Sequence, residues 1–373
     1  MIRVALVISN LEFGGAQRQL VELVNASQNM DVSYCLVAMS DVIPLAGQLF
    51  DPDVVRVLNK RSRFDFTVVP RLARLFREQR IDVAHAFLFD AEIATRLAGT
   101  MASTGVVVGS ERNVNYRIKR IQKIAYRLTH GMRDACIANS IAGARFNARE
   151  LGYSSDHYRV VYNGVDTARF HPADRSAACE LLGLDPAFRW VGMVGSFKRQ
   201  KNHSVFLRAA RRLLDERQDV RVVLVGDTLA DGLRGTNEYK REIVSEIERL
   251  DFGDRIAMLG NREDIENVYP ACDLTVLPSL HEGTPNVALE SMACGTPVVA
   301  SDVSDNSFVI PNGVAGFVVP LNDIDATGAA MLRCLDTETN AMLSEQARAR
   351  AEKQFSTDAF ARNMLEVYRE LLG

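Results

Sequence analysis

The sequence predicts an α/β protein of two Rossmann-like domains, each built on a parallel sheet, and three observations predict it. Apolar runs of about four to eight residues alternate with amphipathic stretches of helical length, which is the pattern of βαβ units. A chain of 373 residues is long for one hydrophobic core and sufficient for two domains. The runs also fall into two sets on either side of the turn-rich segment Asn163-Gly164-Val165-Asp166. We therefore expect a first domain over residues 1–165 and a second over residues 166–356.

Each apolar run is a candidate strand. Those of the first domain are Val4 to Ser9, Val32 to Val37, Val54 to Val57, Val83 to Ala86, Val106 to Gly109, Cys136 to Asn139 and Val160 to Tyr162. Those of the second are Val191 to Gly195, Val220 to Val225, Ile256 to Leu259, Leu274 to Leu277, Val298 to Ala300 and Gly316 to Val319. Ligands of such sheets bind beyond the carboxyl ends of the strands, so the residues that follow each run are the candidate site residues.

Composition indicates a globular protein of a reducing compartment. The chain is 47% hydrophobic and 24% charged, which is typical of globular domains. Its six cysteines form no C-x-x-C pair and lie mostly inside apolar runs, so buried free thiols are expected rather than disulfides. The first apolar run is too short for a signal peptide, and no run reaches the roughly 18 residues that span a bilayer. We expect a cytoplasmic protein.

The two halves of the chain differ in charge. Residues 1–165 hold 21 Lys plus Arg against 15 Asp plus Glu, a net charge of +6. The totals of 44 and 47 leave 23 against 32 for the remainder, a net charge of −9. This asymmetry predicts that the first half meets something anionic.

A loop, a helix and a strand are predicted from Ser279 to Asp302. Thr284 is the expected helix cap, Pro285 suits the first turn, and Gly295 supplies the left-handed stop. Glu282 lies before this helix and Glu290 inside it, so two carboxylates flank backbone N–H groups of the kind that bind phosphate or sugar oxygens. The candidate ligand-binding residues at the helix start are Gly283, Thr284, Pro285, Asn286 and Val287. An ordinary capped helix with surface acids would show the same pattern.

The run EGTPNVALESMACGTPVVASD resembles the donor-binding signature of the retaining GT-B glycosyltransferases of the GT4 family. FGGAQRQL, YNGVDTARFHP and VGSFKRQKN match the family in the same order, so the resemblance spans nearly the whole chain. It implies a GT-B fold, with two domains facing a central cleft and a last helix, about residues 357–372, that packs back onto the first domain. It also implies that Glu282 contacts the donor sugar and Glu290 the nucleotide ribose.

The turn after the first strand contains Gly14 and Gly15. Glycines permit a tight turn or the close approach of a ligand, and a tight βα turn alone explains them equally well. No G-x-G-x-x-G or P-loop motif is present. The resemblance places this loop near the donor phosphates and the acceptor.

A basic loop, Gly195 to Lys201, follows the first strand of the second domain. Fixed cations there would stabilise the charge that a leaving diphosphate gains. Lys201 matches the phosphate-binding lysine of the family, whereas Ser196 stands where the family usually has arginine. Lys198 or Arg199 could substitute, although a solvated basic loop is the alternative for at least one of them.

Two further strand ends offer candidates for the base and ribose. Gly226 ends one strand, and Arg262 follows another, where pairing with Glu263 or Asp264 is an equal alternative. Ser304-Asp305-Asn306 stands where the family often has a glycine pair, and Phe308 where it often has Glu. We assign no role to these positions.

His85 and Arg112 are the candidate catalytic side chains of the first domain. Each is predicted just past a strand, and many family members carry near the second place a histidine that contacts the donor sugar. Arg112 could take that contact, or the acceptor could differ. His85 is expected either to face the cleft or to be a satisfied interior histidine.

The segment from Arg112 to Arg133, with both ends included, holds seven basic residues and no acidic one. One apolar stripe of a helix is predicted there: Ile118, Ile121, Ala125, Leu128 and Met132. The basic residues beside it are Arg117, Arg120, Lys123 and Arg127. A solvated helix packed on its own domain explains the pattern, and so does peripheral contact with an anionic membrane or a phospholipid-type acceptor.

Together these features predict a retaining glycosyltransferase that moves a sugar, a hexose type, from a nucleotide diphosphate sugar, with UDP favoured. The expected acceptor is a glycan, lipid-linked or small molecule in cell-surface polysaccharide or glycolipid synthesis. We expect no cofactor, no nucleic acid partner and no metal requirement. Glu282 and Lys201 are the expected catalytic residues of the second domain. The alternatives are a GT-B-fold sugar-nucleotide epimerase and an inactive glycan- or nucleotide-binding partner.

Overall fold

The computed structural model of the protein describes residues 1–62, 65–112, 118–228 and 236–373. It divides the chain into two units. The N-terminal unit comprises Met1–Gly164 and Thr357–Gly373, and the C-terminal unit comprises Val165–Ser356.

Seven parallel strands form the sheet of the N-terminal unit, in the order β3-β2-β1-β4-β5-β6-β7. They are β1 (Ile2–Ile8), β2 (Val32–Ala38), β3 (Val55–Val57), β4 (Val83–Phe87), β5 (Val106–Glu111), β6 (Ala135–Ala138) and β7 (Tyr158–Val160). The helices between them are α1 (Gly15–Ala26), α2 (Val68–Glu78), α3 (Phe89–Ala102), α4 (Arg120–Leu128) and α5 (Ile141–Leu151).

Successive side chains of β1 show that this sheet is buried on both faces. Val4, Leu6 and Ile8 belong to one hydrophobic core, whereas Ala5 and Val7 belong to another on the opposite face. Side chains of a strand point alternately to the two faces, so a strand buried on both faces needs a continuous apolar run. That requirement is why the buried strands could be found in the sequence.

Six parallel strands form the sheet of the C-terminal unit, in the order β10-β9-β8-β11-β12-β13. They are β8 (Arg189–Val194), β9 (Val220–Val225), β10 (Ile256–Met258), β11 (Leu274–Leu277), β12 (Val298–Ser301) and β13 (Gly316–Val319). The helices of this unit are α6 (Arg175–Leu182), α7 (His203–Glu216), α8 (Thr236–Leu250), α9 (Val268–Ala271), α10 (Asn286–Ala293), α11 (Asn306–Val309), α12 (Ile324–Cys334) and α13 (Thr337–Phe355).

The chain ends in α14 (Thr357–Leu372), which belongs to the N-terminal unit. Phe360, Met364 and Tyr368 recur at a helical spacing and are buried in the same core as Val4 and Leu6. Burying each such side chain contributes about 1.5–3 kcal/mol, so this one apolar face fixes α14 on the sheet.

The sequence-based expectations for the fold are confirmed. All thirteen predicted strands are present, with ends that differ by up to two residues, and both sheets are parallel throughout the described residues. No helix in those ranges is long and apolar enough to cross a bilayer. The six cysteines are free, and all but Cys35 are buried.

Candidate functional site

The strand order of the C-terminal unit brings three candidate loops side by side. Strands β8, β11 and β12 are consecutive neighbours and run parallel, with Val191 paired to Leu274 and Thr275 to Val298. Their carboxyl ends therefore lie at one edge of the sheet, where ligands of such sheets bind. The loops that leave this edge hold the basic segment before α7, the segment before α10, and the segment after β12.

Gln200 and Asn202 join the first two loops. The backbone carbonyl of Gln200 accepts the N–H of Leu280 at 2.8 Å, and its side-chain amide donates to the carbonyl of His281 at 2.7 Å. The side-chain amide of Asn202 donates to the carbonyl of Pro278 at 3.1 Å. Lys201 lies between these two residues, so these hydrogen bonds place it next to the residue after His281.

That residue is Glu282, and the two side chains form an ion pair. Lys201 Nζ lies 2.7 Å from Glu282 Oε1, and the side chains are only 17% and 9% exposed. From the sequence, Lys201 was expected to contact the diphosphate and Glu282 the sugar. The structure thus brings the two charges into direct contact.

Lys198 and Arg199 were the candidates for the cation that Ser196 lacks. Burial and the neighbouring ammonium of Lys201 lower the pKa of Lys198, and Glu282 opposes that change, so Lys198 lies within the same charge cluster. Arg199 is exposed and donates to Glu242 at 2.6 Å. Lys198 is therefore the better placed of the two, and Arg199 is the solvated basic residue of the alternative.

Gly226 allows two strand-end loops to meet. Its φ is +132°, and a Cβ atom there would lie 2.2 Å from the carbonyl oxygen of Gly195. Its N–H donates to the carbonyl of Gly260 at 2.8 Å. A side chain at this position would thus force apart the loops that follow β8 and β9, just where Ser196 begins the basic loop.

The helix between the two glutamates is α10, and it begins one residue later than predicted. Pro285 is its N-cap, with φ −78° and ψ 95°, and makes no side-chain cap hydrogen bond. The expected role of Thr284 as the cap is therefore wrong, because the extended conformation of Pro285 places Thr284 outside the helix. The left-handed stop is confirmed, since Gly295 has φ +74°.

Glu290 is oriented by a tyrosine that the sequence analysis missed. Tyr269, in α9, donates its hydroxyl to Glu290 Oε2 at 2.5 Å. Burial and the adjacent Glu290 carboxylate raise the pKa of Tyr269 well above its ordinary value, so the phenol stays protonated and remains the donor. No feature of the sequence pointed to this contact, which joins residues 21 positions apart.

Arg262 is paired with a neighbouring carboxylate. Its guanidinium makes two hydrogen bonds of 2.8 Å to the carboxylate of Asp264. This ion pair lowers the pKa of Asp264 and raises that of Arg262. The pairing with Asp264, one of the two alternatives for Arg262, is therefore present in the structure, and the contact with the base stays a prediction.

His85 is also a correction, because it lies inside β4 rather than past its end. The ring is fully buried, with Nδ1 2.7 Å from the Tyr368 hydroxyl and Nε2 3.0 Å from Ser110 Oγ. Burial and the nearby Arg112 lower the pKa of His85 well below its ordinary value, so the ring is neutral. It is the satisfied interior histidine of the second alternative, with both nitrogens in hydrogen bonds.

Arg112 shares the same polar network. It is buried, and it donates to Ser110 Oγ and to Asn163 Oδ1 at 3.2 Å each. Its guanidinium lies over the Phe87 ring at 4.8 Å. Burial lowers the pKa of Arg112 to about 10, which leaves it charged at neutral pH. Its Nη2 atom is buried and has no partner among the residues that the structure describes.

The glycine turn and the mid-chain motif meet in the N-terminal unit. Gly14 is the extended N-cap of α1, which begins at Gly15. From α1 the buried Gln19 side chain donates to the carbonyl of Gly164 and accepts its N–H, both at 2.8 Å. Two of the motifs that carried the family resemblance are thereby held together.

The predicted apolar stripe of the basic helix α4 is only partly covered. Ile121, Ile124 and Leu128 are 70%, 56% and 77% exposed. Tyr126 faces inward instead and donates to Glu92 at 3.0 Å. Of the predicted stripe, Ile118, Ala125 and Met132 are partly buried, whereas Ile121 and Leu128 are exposed. A solvated helix on its own domain and a contact with an anionic membrane therefore both stay predictions.

The basic residues beside that stripe differ from one another. Arg120 and Arg127 are exposed, whereas Lys123 pairs with Glu150 at 2.5 Å. Arg117 lies outside the described residues. The charge next to the exposed apolar row therefore comes chiefly from Arg120 and Arg127.

No three His, Cys, Asp or Glu side chains of the described ranges converge as metal ligands do. Two Asp-x-Asp pairs occur, and the first residue of each caps a helical turn. Asp51 accepts the N–H of Asp53, and Asp323 accepts the N–H of Ala326 at the start of α12.

Comparison with known proteins extends these observations. The profile of glycosyl transferases group 1 matches residues 189–337, and that of Glycosyltransferase Family 4 matches residues 13–169. The lipopolysaccharide core biosynthesis mannosyltransferase LpsB of Rhizobium meliloti is 32% identical over 64% of this chain and 66% of its own length. This chain therefore spans just under two thirds of that relative.

Two other proteins are similar over more of their length. An Escherichia coli UDP-Gal:α-D-GlcNAc-diphosphoundecaprenol α-1,3-galactosyltransferase is 27% identical over 76% of this chain and 74% of its own. The crystal structure of HepE from Anabaena, in complex with UDP, superimposes with a TM-score of 0.86 over 99% of this chain and 100% of HepE, at 21% identity. That likeness shows the GT-B fold of two Rossmann-like domains. The chain belongs to glycosyltransferase family 4.

Proposed function

We propose that the protein is a retaining glycosyltransferase that moves a sugar from a nucleotide diphosphate sugar to a hydroxyl of an acceptor. The observation that carries the proposal is the Lys201–Glu282 ion pair, 2.7 Å long, at the start of α10. A cation for phosphate, a carboxylate for sugar hydroxyls and a helix N-terminus lie at one edge of the sheet. A donor with a sugar, a diphosphate and a ribose suits those three groups.

UDP is the proposed nucleotide. HepE, which shares the fold, has been solved with UDP and with UDP-glucose, and the E. coli relative uses UDP-Gal by name. Glu290, held by Tyr269, is proposed to accept hydrogen bonds from the ribose hydroxyls. A carboxylate fixed in advance loses little freedom on binding, which favours affinity.

The proposed chemistry depends on charge at the leaving group. As the bond between sugar and diphosphate breaks, negative charge grows on the phosphate oxygens, and Lys201, with the N–H groups of the α10 start, stabilises it. Lys198 adds a second positive charge nearby. Glu282 accepts from hydroxyls of the sugar, and the acceptor hydroxyl attacks on the face from which the diphosphate leaves.

The N-terminal unit is proposed to bind the acceptor. Gly14 is the N-cap of α1 and Gly15 its first residue, so backbone N–H groups there are available to an anionic or hydroxylated ligand. Arg112 is proposed to contact the transferred sugar or the acceptor, because its buried Nη2 has no partner among the described residues. His85 is not part of this proposal, since its ring is enclosed.

The acceptor is proposed to be lipid-linked, or to lie at an anionic membrane surface, in glycan or glycolipid synthesis. Helix α4 exposes Ile121, Ile124 and Leu128 beside Arg120 and Arg127. An apolar row flanked by arginines suits the boundary between acyl chains and anionic headgroups. The name of the E. coli relative specifies a diphosphoundecaprenol acceptor, and that of LpsB specifies lipopolysaccharide core biosynthesis.

One experiment tests the donor. Thermal unfolding of the purified protein is measured with UDP-, GDP- and ADP-sugars, and ligand at 100 times its dissociation constant adds about 2.7 kcal/mol. UDP-sugars should raise the midpoint most. The stabilising donor is then incubated with lipid-linked and soluble acceptors, and the anomeric configuration of the product is determined by NMR. Donor conversion without acceptor would identify an epimerase, and binding with no turnover an inactive partner.

A further inference from the structure

Ser304 holds the backbone of Glu282 from two sides. Its Oγ donates to the carbonyl oxygen of Glu282 at 2.5 Å and accepts the N–H of the same residue at 3.2 Å. One hydroxyl thereby satisfies both main-chain groups of the residue that pairs with Lys201. Ser304 had no role predicted from the sequence.

Further hydrogen bonds connect the end of β12 and the loop after it to the segment before α10. Ser301 Oγ donates to the carbonyl of Ser279 at 2.5 Å, and Asn306 donates to the carbonyl of Ser301 at 2.9 Å. The segment from Ser279 to Glu282 is therefore fixed by the loop after β12 on one side. On the other side it is fixed by the loop that contains Gln200.

The backbone of Ser304 indicates that its side chain matters. Its φ is +53°, in the left-handed region that favours glycine. A serine kept in a conformation that glycine adopts more easily needs a compensating interaction, and the two hydrogen bonds to Glu282 supply one.

We propose that Ser304 is a positioning residue that fixes the direction of the Glu282 carboxylate toward the donor sugar. The inference rests on the proposed contact between Glu282 and that sugar. The carboxylate lies two bonds beyond the side-chain Cβ, so rotation of a loosened backbone at Glu282 would displace it from both Lys201 and the sugar. Transition-state contacts are sensitive to such displacement, whereas nucleotide binding at Glu290 is not.

Two variants separate positioning from folding. Ser304→Gly removes the hydroxyl and relieves the left-handed strain, while Ser304→Ala removes the hydroxyl and keeps the strain. Both should lower kcat at saturating donor by roughly 5- to 50-fold, the range for losing one or two neutral hydrogen bonds. UDP affinity should stay within about 2-fold of wild type. Only Ser304→Ala should lower the thermal midpoint clearly. Ser307→Ala, at an exposed serine three residues on, is the matched control.

Hydrogen exchange gives a readout that does not need turnover. Amide exchange measured by mass spectrometry should accelerate over residues 279–285 in both Ser304 variants, and not in Ser307→Ala. In a Glu282→Gln background, Ser304→Gly should change kcat by less than about 2-fold, because its effect acts through that carboxylate.

Three results would overturn the inference in distinguishable ways. Unchanged exchange at 279–285 in the variants means that Ser304 does not hold this segment. Faster exchange with wild-type kcat in Ser304→Gly means that the hydrogen bonds are structural only. Equal transfer by wild type and Glu282→Gln refutes the proposed function of Glu282 itself, and with it the positioning role, whatever the exchange shows.

Discussion

Lys201 Nζ lies 2.7 Å from Oε1 of Glu282, so each charge is compensated within the protein before any ligand binds. Neither side chain is more than 17% exposed, and removing one partner leaves the other as an uncompensated charge in a partly dry site. A donor that binds here must exchange this internal pair for contacts of its own. Loss of Lys201 should therefore remove a cation that the bound donor would contact.

Lys201→Ala should lower turnover at saturating donor by about two to three orders of magnitude. That is the scale observed when a positioned electrostatic group is lost from a site where charge develops. Steady-state kinetics with a saturating donor measure it. Lys201→Ala in a Glu282→Gln background is the control for the uncompensated carboxylate, and it should still show the loss. A raised Michaelis constant with unchanged turnover would mean that Lys201 only helps binding.

Glu290 and Glu282 should affect the nucleotide differently. Glu290→Gln should weaken binding of free UDP roughly 10- to 150-fold, because a charged hydrogen bond contributes about 1.5–3 kcal/mol. Glu282→Gln should leave UDP affinity nearly unchanged and reduce transfer. Isothermal titration with UDP measures the first effect, and a transfer assay the second. Tyr269→Phe, which removes the donor to Glu290, should give a smaller loss of UDP affinity. Equal losses of affinity in the two glutamine variants would contradict the assignment.

Transfer should continue in EDTA. The diphosphate charge is expected to be balanced by Lys201 and by backbone N–H groups at the start of α10. In each Asp-x-Asp pair the first carboxylate already accepts a backbone hydrogen bond, since Asp51 and Asp323 each cap a helical turn. Activity is compared in EDTA alone and with Mg²⁺ or Mn²⁺ restored in excess. Loss of activity in EDTA that Mn²⁺ reverses would refute the prediction.

His85 predicts a pH dependence of stability. Its folded pKa lies well below the ordinary value of about 6.5, so the unfolded chain binds a proton below that pH which the folded protein does not bind. Stability should therefore fall as pH decreases below about 6.5, with this one residue contributing up to about 1.4 kcal/mol per pH unit. His85→Gln should lower stability at pH 7, because the Tyr368 and Ser110 contacts are disturbed, and should flatten the acid slope.

The check for His85 is denaturant unfolding of the wild type and His85→Gln between pH 7 and 5. The exposed His171→Gln variant, in the other unit, is the control. The pKa of buried His203, lowered to about 4 by burial and Lys201, adds a second contribution in the C-terminal unit that both proteins retain. An identical acid slope in wild type and His85→Gln would exclude His85 as a source of the pH dependence.

The strands of both sheets could be predicted from the sequence because buried parallel strands must be apolar on both faces. Strand β1 shows this, with successive residues in two separate cores. Contacts between residues far apart in the sequence could not be predicted in this way. The Lys201–Glu282 pair depends on β8 lying beside β11, and the partner of His85 lies 283 positions away in α14. Periodicity identified the residues that share a face of α4, but it could not show whether anything covers that face.

The exposed face of α4 should bind anionic membranes. Arg120 and Arg127 should each add about 1 kcal/mol of attraction to an anionic surface, and the apolar row should add more by entering the acyl boundary. Co-sedimentation with vesicles should rise with the anionic lipid fraction and fall with salt, because the Debye length shrinks from about 10 Å at 0.1 M to 3 Å at 1 M.

Variants of α4 separate the contributions of charge and apolar surface to this binding. Arg120→Gln with Arg127→Gln should weaken vesicle binding by roughly 30-fold at low salt, which corresponds to about 2 kcal/mol. Ile121→Ser with Leu128→Ser should weaken it while leaving the salt dependence in place. Arg77→Gln with Arg145→Gln removes the same charge from exposed positions elsewhere in the unit and should change binding little. UDP affinity should be unaltered in all of them. If the wild-type protein ignores anionic vesicles at low salt, α4 is a solvated face and the acceptor is a soluble molecule.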